Sequence, residues 1–126
     1  MAVNDINDAT KWEAFCDRLA QSTASGQLVW DNWDTRTARP NAKSPVFVTT
    51  YKQWKIAIYK YEYKYFYDED RFDWNEEVAI DLIDDSGKNE WTIPKVPSRR
   101  RLLDQIQFKN ADVESLLDDV LGNVGT

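Results

Sequence analysis

A chain of 126 residues with 42% apolar and 30% charged side chains has the size and make-up of one globular domain, with a core large enough to fold alone. It contains no run of about 18 apolar residues, so no membrane-spanning helix is expected. With no His and a single Cys, Ser-His-Asp, Cys-His and His-ligated zinc chemistries are excluded, as is an internal disulfide.

Met1 to Thr10 is polar and acidic, unlike the basic-then-apolar pattern of a leader, and with the lone Cys16 this suggests a cytoplasmic protein. Thr10-Lys11-Trp12-Glu13 has the form of a capping box and predicts the start of a helix. Trp12, Phe15, Cys16 and Leu19 then fall on one helical face, with Ser25-Gly26 as the stop. This spacing puts Cys16 in the core as an inert thiol rather than a nucleophile. Gln27 to Trp33 reads as a short strand with Leu28, Trp30 and Asn32 on one side, and Asp34 to Pro45 as a polar loop.

Val46 to Tyr67 is rich in β-branched and aromatic residues. Phe47 to Tyr51 and a long strand from Trp54 flank a turn at Lys52-Gln53. In the long strand the bulky positions change from Trp54, Ile56 and Ile58 to Tyr59, Tyr61, Tyr63, Tyr65 and Tyr67, with Lys60 and Lys64 between them. A bulge near Ala57 to Lys60, or a strong twist, is the expected cause. Asp68 to Glu77 reads as an acidic connection carrying Phe72 and Trp74. Val78 to Ile83 and Glu90 to Ile93 form a hairpin around Asp84-Asp85-Ser86-Gly87-Lys88. Ser98 is the expected cap of a helix with Leu102, Leu103, Ile106 and Phe108 inward, although Arg99, Arg100 and Arg101 oppose its dipole. Asn110 is the expected cap of a last helix with Val113, Leu116, Leu117, Val120 and Leu121 on one face and Gly122 as its stop.

The fold class is therefore α+β in one domain over 1–126: an N-terminal helix, an antiparallel meander of about five strands, and one or two C-terminal helices. Trp12 with Gly26-Gln27-Leu28-Val29-Trp30, the pair Phe47 to Tyr51 and Trp54 to Ile58, the hairpin Ile80 to Ile93 and the ending Val113 to Leu121 together resemble a family of small uncharacterised bacterial and phage proteins. The resemblance implies the same helix, meander and C-terminal helix. It implies no activity, and it leaves Tyr59 to Glu77 as an elongated hairpin peculiar to this chain.

The net charge of -6 is distributed in blocks of alternating sign, with basic residues concentrated in 36–66 and 92–103 and acidic ones in 67–91. Adjacent strands of opposite sign would neutralise one another, and a bipolar surface that steers a partner is the other reading. Six Trp, six Tyr and five Phe make aromatic rings the chain's main resource. The tyrosine strand is either core beneath helices or a binding face. As a binding face it suits a protein partner, because the chain is acidic and its rings and lysines alternate. The expected function is a non-enzymatic interaction module of adaptor, inhibitor or immunity-like kind. Its binding residues are Tyr59, Tyr61, Tyr63, Tyr65, Tyr67, Phe72, Trp74, Lys60 and Lys64. The alternatives are single-stranded nucleic-acid binding through the same strand, and a metal-dependent hydrolase built on Asp68, Asp70 and Asp73, with Asp81, Asp84 and Asp85 as further carboxylates. No cofactor, metal or membrane contact is expected; the partner is another protein, with a homodimer possible.

Overall fold

The computed structural model describes residues 8–33 and 41–122. Its elements are α1 (Ala9–Ala24), β1 (Asp31–Trp33), β2 (Val46–Tyr51), β3 (Trp54–Phe66), β4 (Phe72–Ile83), β5 (Asn89–Thr92), α2 (Ser98–Asn110) and α3 (Val113–Gly122). The strands form one antiparallel sheet in sequence order, so the α+β meander expected from the residue pattern is the architecture found.

Helix α1 begins two residues before the expected capping box. The Asp8 carboxylate accepts from the amides of Thr10 (3.0 Å) and Lys11 (3.4 Å), so Thr10 and Glu13 lie inside the helix. An ionised cap also suits the positive end of the helix dipole, which explains why Asp8 wins over a Thr hydroxyl. Asp8→Ala should cost about 1 kcal/mol, read as a lowered thermal midpoint with unchanged native structure. At the other end Gly26 holds φ +82 and releases the chain. The Trp30 indole donates to the Thr23 hydroxyl (2.9 Å), and Thr49 donates to the Val29 carbonyl (2.7 Å). These bonds fix residues 28–30 without strand pairing, so the strand expected over Gln27–Trp33 shrinks to Asp31–Trp33.

The sheet has two unlike faces. Phe47, Ile56, Ile58, Val78 and Ile80 join Cys16, Leu19 and Trp30 with Leu102, Leu103 and Ile106 of α2 in the main core. Both α1 and α2 therefore cover this inner face. On the outer face Val46, Val48, Ala57 and Ile83 form a smaller cluster, against which Trp33 and Tyr59 pack.

Strands β3 and β4 pair without interruption from Lys55↔Ile83 to Phe66↔Phe72. Two sequence expectations are thereby corrected. No bulge lies near Ala57 to Lys60; the sheet's register shift is at Leu82/Ile83, against β5. The bulky residues switch alternation without any change of pleat because the hairpin runs past the helices, so the inner positions beyond Ile58 no longer need to be apolar. Phe72–Glu77, expected as an acidic connection, is strand, and only residues 67–71 turn the chain. Of the loop expected over Asp34–Pro45, residues 34–40 lie outside the described residues. Its end runs beside β3: Ala42 bridges Tyr61, Lys43 donates its amide to the Lys60 carbonyl (2.7 Å), and the Lys60 amide donates to the Ser44 hydroxyl (2.8 Å).

The three arginines that oppose the α2 dipole have another use. β5 is short, and beyond it the β4 edge would present bare carbonyls, a liability in any sheet. The Ile93 amide donates to the Ile80 carbonyl (2.8 Å), the Arg99 guanidinium to the Val78 carbonyl, and Arg100 to the Glu76 carbonyl (3.1 Å). Side-chain donors thus continue the ladder at every second residue. Arg99, buried, also pairs with Glu77 (2.7 Å) and donates to the Val96 carbonyl (2.9 Å), while Arg101 reaches Asp17 on α1 (3.1 Å). The cap position of α2 is Pro97, with no side-chain bond, and Ser98 is its first residue with a buried hydroxyl. Asn110 does not cap α3 as expected. It ends α2, and its amide donates to the Trp30 carbonyl (3.0 Å).

Candidate functional site

The distal half of the β3–β4 hairpin gathers most of the residues singled out in the sequence, and the pleat sorts them onto two faces. Tyr59, Tyr61, Tyr63 and Tyr65 occupy alternate positions on the outer face, opposite Ala79, Glu77, Asn75 and Asp73. Their rings follow one another, with centroids 6.2 Å apart for Tyr59–Tyr61 and 6.1 Å for Tyr61–Tyr63, and Tyr67 meets Tyr65 edge-on at 5.4 Å. These rings do not lie beneath the helices, which corrects the reading of them as helix-covered core.

Along the row the role changes. Tyr59 is half-buried on the outer cluster, and its hydroxyl donates to buried Asp81 (3.0 Å), which also accepts from Thr92 (2.9 Å). Tyr61 and Tyr63 are half-buried, and the Lys95 ammonium sits 5.9 Å from the Tyr63 ring centre. Tyr65 and Tyr67 are exposed. Tyr67 donates its hydroxyl to Asp73, and holding that proton against a carboxylate raises the phenol above its usual pKa.

Lys60, Lys64, Phe72 and Trp74 lie on the other face of the hairpin. Lys60 faces Glu76 (3.9 Å) and is a structural ion-pair partner at the base. Lys64 is set 4.6 Å from the Phe72 ring centre and 5.5 Å from Trp74. Phe72 in turn packs edge-on with Trp74 (5.9 Å) and against Phe66 (5.5 Å). Phe66, which the sequence reading left out, is therefore a full member of the cluster. Its signal was available: it and Phe72 sit symmetrically about the Asp68 turn, as a closing hairpin pair would.

The tip is thus a ribbon with rings on both sides: Tyr65 is 50% exposed, Phe66 56%, Tyr67 64%, Phe72 40% and Trp74 56%. Large apolar side chains left this open are unusual when they adjoin one another, and an adjoining group is the mark of an interaction surface. Between residues 62 and 76 stand six acidic side chains and two basic ones, so the rings are framed by negative charge.

The acidic residues mostly serve turns. Asp68 accepts from the amides of Asp70 (2.9 Å) and Arg71 (3.1 Å). Asp84 accepts from the Ser86 hydroxyl (2.6 Å) and the Ser86 and Lys88 amides (2.9 Å each), bonds that hold its carboxyl below the usual range, while Gly87 adopts φ +88. Asp85 pairs with Lys55 (3.3 Å). Among the described residues, no three acidic or thiol side chains converge to hold a metal ion. No helix among them is long and apolar enough to cross a membrane.

Cys16 is fully buried, and burial pushes its thiol up to about 11, partly opposed by the neighbouring Ser98 hydroxyl. A thiolate is therefore scarce and unreachable. A thiol-reactive chromophore should label the native protein only as fast as it opens, and at full rate in denaturant. Rapid labelling of the folded chain would overturn this placement.

Comparison of the chain with protein-family models, with curated proteins and with solved structures finds no match in any of the three. The bacterial and phage family likeness gains no support from them, and the reading of the site rests on this chain's own residues.

Proposed function

We propose that the protein is a non-enzymatic, cytoplasmic interaction module, of adaptor or inhibitor kind, that binds another protein with the tip of its β3–β4 hairpin. The observation that carries this reading is the exposure of Tyr65 and Tyr67 on one face of the hairpin tip and of Phe66, Phe72 and Trp74 on the other. Aromatic rings with few rotatable bonds bury large areas at low entropic cost, which is why they dominate binding energy at protein interfaces.

The frame of charge favours a protein over a nucleic acid. Asp68, Glu69, Asp70, Asp73, Glu62 and Glu76 around the rings would repel a phosphate backbone, whereas a partner whose apolar patch is edged by Lys and Arg meets complementary charge. The arrangement of Lys64 over Phe72 and Trp74 is a feature that suits stacked bases.

Two measurements separate the readings. Affinity capture from the native host with the wild-type chain and with a Tyr65→Ser, Phe66→Ser, Trp74→Ser variant should retain a specific protein on the former alone. Labelled oligonucleotides at low salt should show no shift. An oligonucleotide shift abolished by the same variant, without a protein partner, would replace this proposal with the nucleic-acid reading.

A further inference from the structure

The apolar face of α3 carries a second inference, independent of the hairpin. Leu116, Leu117, Val120 and Leu121 are 48–66% exposed, and no residue of α3 is buried. With Val113 they follow the i, i+3, i+4, i+7 spacing by which a helix seats in an apolar groove. The rest of the helix is acidic: Glu114, Asp118 and Asp119, with no basic residue. At 100° per residue Glu114 and Asp118 flank the Leu117 and Leu121 side of this face.

The same chain carries a groove of the opposite character. It lies along α1, with Phe15, Leu19 and Leu28 as its apolar floor, Tyr51 as a wall and about 430 Å³ of space. Its rim is basic. Arg18 has no carboxylate partner among the described residues, and Lys52 lies outside the lining, its ammonium 5.5 Å from the Tyr51 ring centre. The groove offers room for leucine side chains, and Arg18 on its rim offers charge complementary to Asp118, since Glu114 is already paired with Lys109 (3.9 Å).

We infer that α3 of one copy docks in the α1 groove of a second copy, Leu117 and Leu121 entering the groove and Asp118 facing Arg18. A ten-residue helix is about 15 Å long and covers far less than the about 800 Å² per partner of a stable interface. Two copies therefore exchange helices reciprocally, which doubles the contact and closes the assembly as a dimer that forms weakly and reversibly.

The test is sedimentation of the full chain across the micromolar range. The wild-type mass should rise with concentration from that of one chain toward that of two. Leu117→Glu should weaken association by about tenfold or more and Arg18→Glu by several-fold; both sites are exposed, so circular dichroism should show the fold intact. A charge exchange makes the test specific: Arg18→Glu and Asp118→Arg should each associate poorly alone, and mixing them should restore the dimer, because each groove then meets a complementary helix. A wild-type chain that stays monomeric throughout would overturn the inference, whether α3 is left free or folds onto its own groove. Association that Leu117→Glu abolishes but Arg18→Glu leaves unchanged, or that mixing fails to restore, would also overturn it.

Discussion

Replacing Arg99 with alanine is expected to lower the stability of the domain by about 3 kcal/mol, a fall in thermal midpoint of roughly 10 °C at this size. Arg99 is buried, pairs with Glu77 at 2.7 Å, and gives donors to the carbonyls of Val78 and Val96. Alanine would take the donors from Glu77 and from the Val78 carbonyl, while the Val96 carbonyl would keep the amide of residue 99 (3.2 Å); a buried acceptor left unpaired costs far more than its bond contributes. The figure sits at the lower end for a broken buried pair because the Glu77 side chain is 23% exposed and can turn toward water. Arg99→Lys should recover little, since an ammonium cannot span the same fork of acceptors. Arg100→Ala, which removes one exposed bond to the Glu76 carbonyl, should cost under about 1 kcal/mol. Urea or thermal denaturation of the three variants checks the ranking; equal losses at Arg99 and Arg100 would contradict the placement of Arg99 as the clamp of the β4 edge.

The second large effect concerns binding rather than folding. The triple variant at Tyr65, Phe66 and Trp74 should change stability by less than about 1 kcal/mol, because these rings are half exposed and the ladder beneath them is backbone. Its affinity for the captured partner should fall by at least about a hundredfold, since clustered aromatic anchors each contribute about 2 kcal/mol or more at the centre of an interface. By contrast Ile80→Ala, at a fully buried inner-face position, should cost about 2–5 kcal/mol and leave tip binding per folded molecule unchanged. Titration of the purified partner against each variant, beside its melting curve, separates the two effects. A tip variant that melts like Ile80→Ala would show that the rings are core.

Periodicity made most of the fold legible. Trp12, Phe15, Cys16 and Leu19 marked the buried face of α1, and alternation in Phe47–Tyr51, Trp54–Ile58 and Val78–Ile83 marked three strands. The misreadings arose where a side chain's job is set by something distant in sequence. Three arginines at a helix start look unfavourable until the bare edge of β4 is beside them. The ring switch after Ile58 looks like a bulge, because a strand that outruns its covering helices and a strand that changes pleat give the same pattern of residues. Phe72–Glu77 looked like a loop because its carboxylates have low strand propensity, yet pairing with β3 overrides that preference. Of the nine candidate site residues, five lie at the tip, Tyr65 and Tyr67 on one face and Phe72, Trp74 and Lys64 on the other. Tyr59 and Lys60 serve the hairpin's base, through Asp81 and Glu76, and Tyr61 and Tyr63 link the two ends.

The central claim, that the hairpin tip is the surface a partner meets, is tested most directly by amide hydrogen exchange of the chain alone and in complex with the protein it captures. The account predicts slowed exchange across residues 64–75 on binding, with the amides of β2 and α2 unchanged. Protection confined to other surfaces, with the tip exchanging as fast as in the free chain, would contradict it.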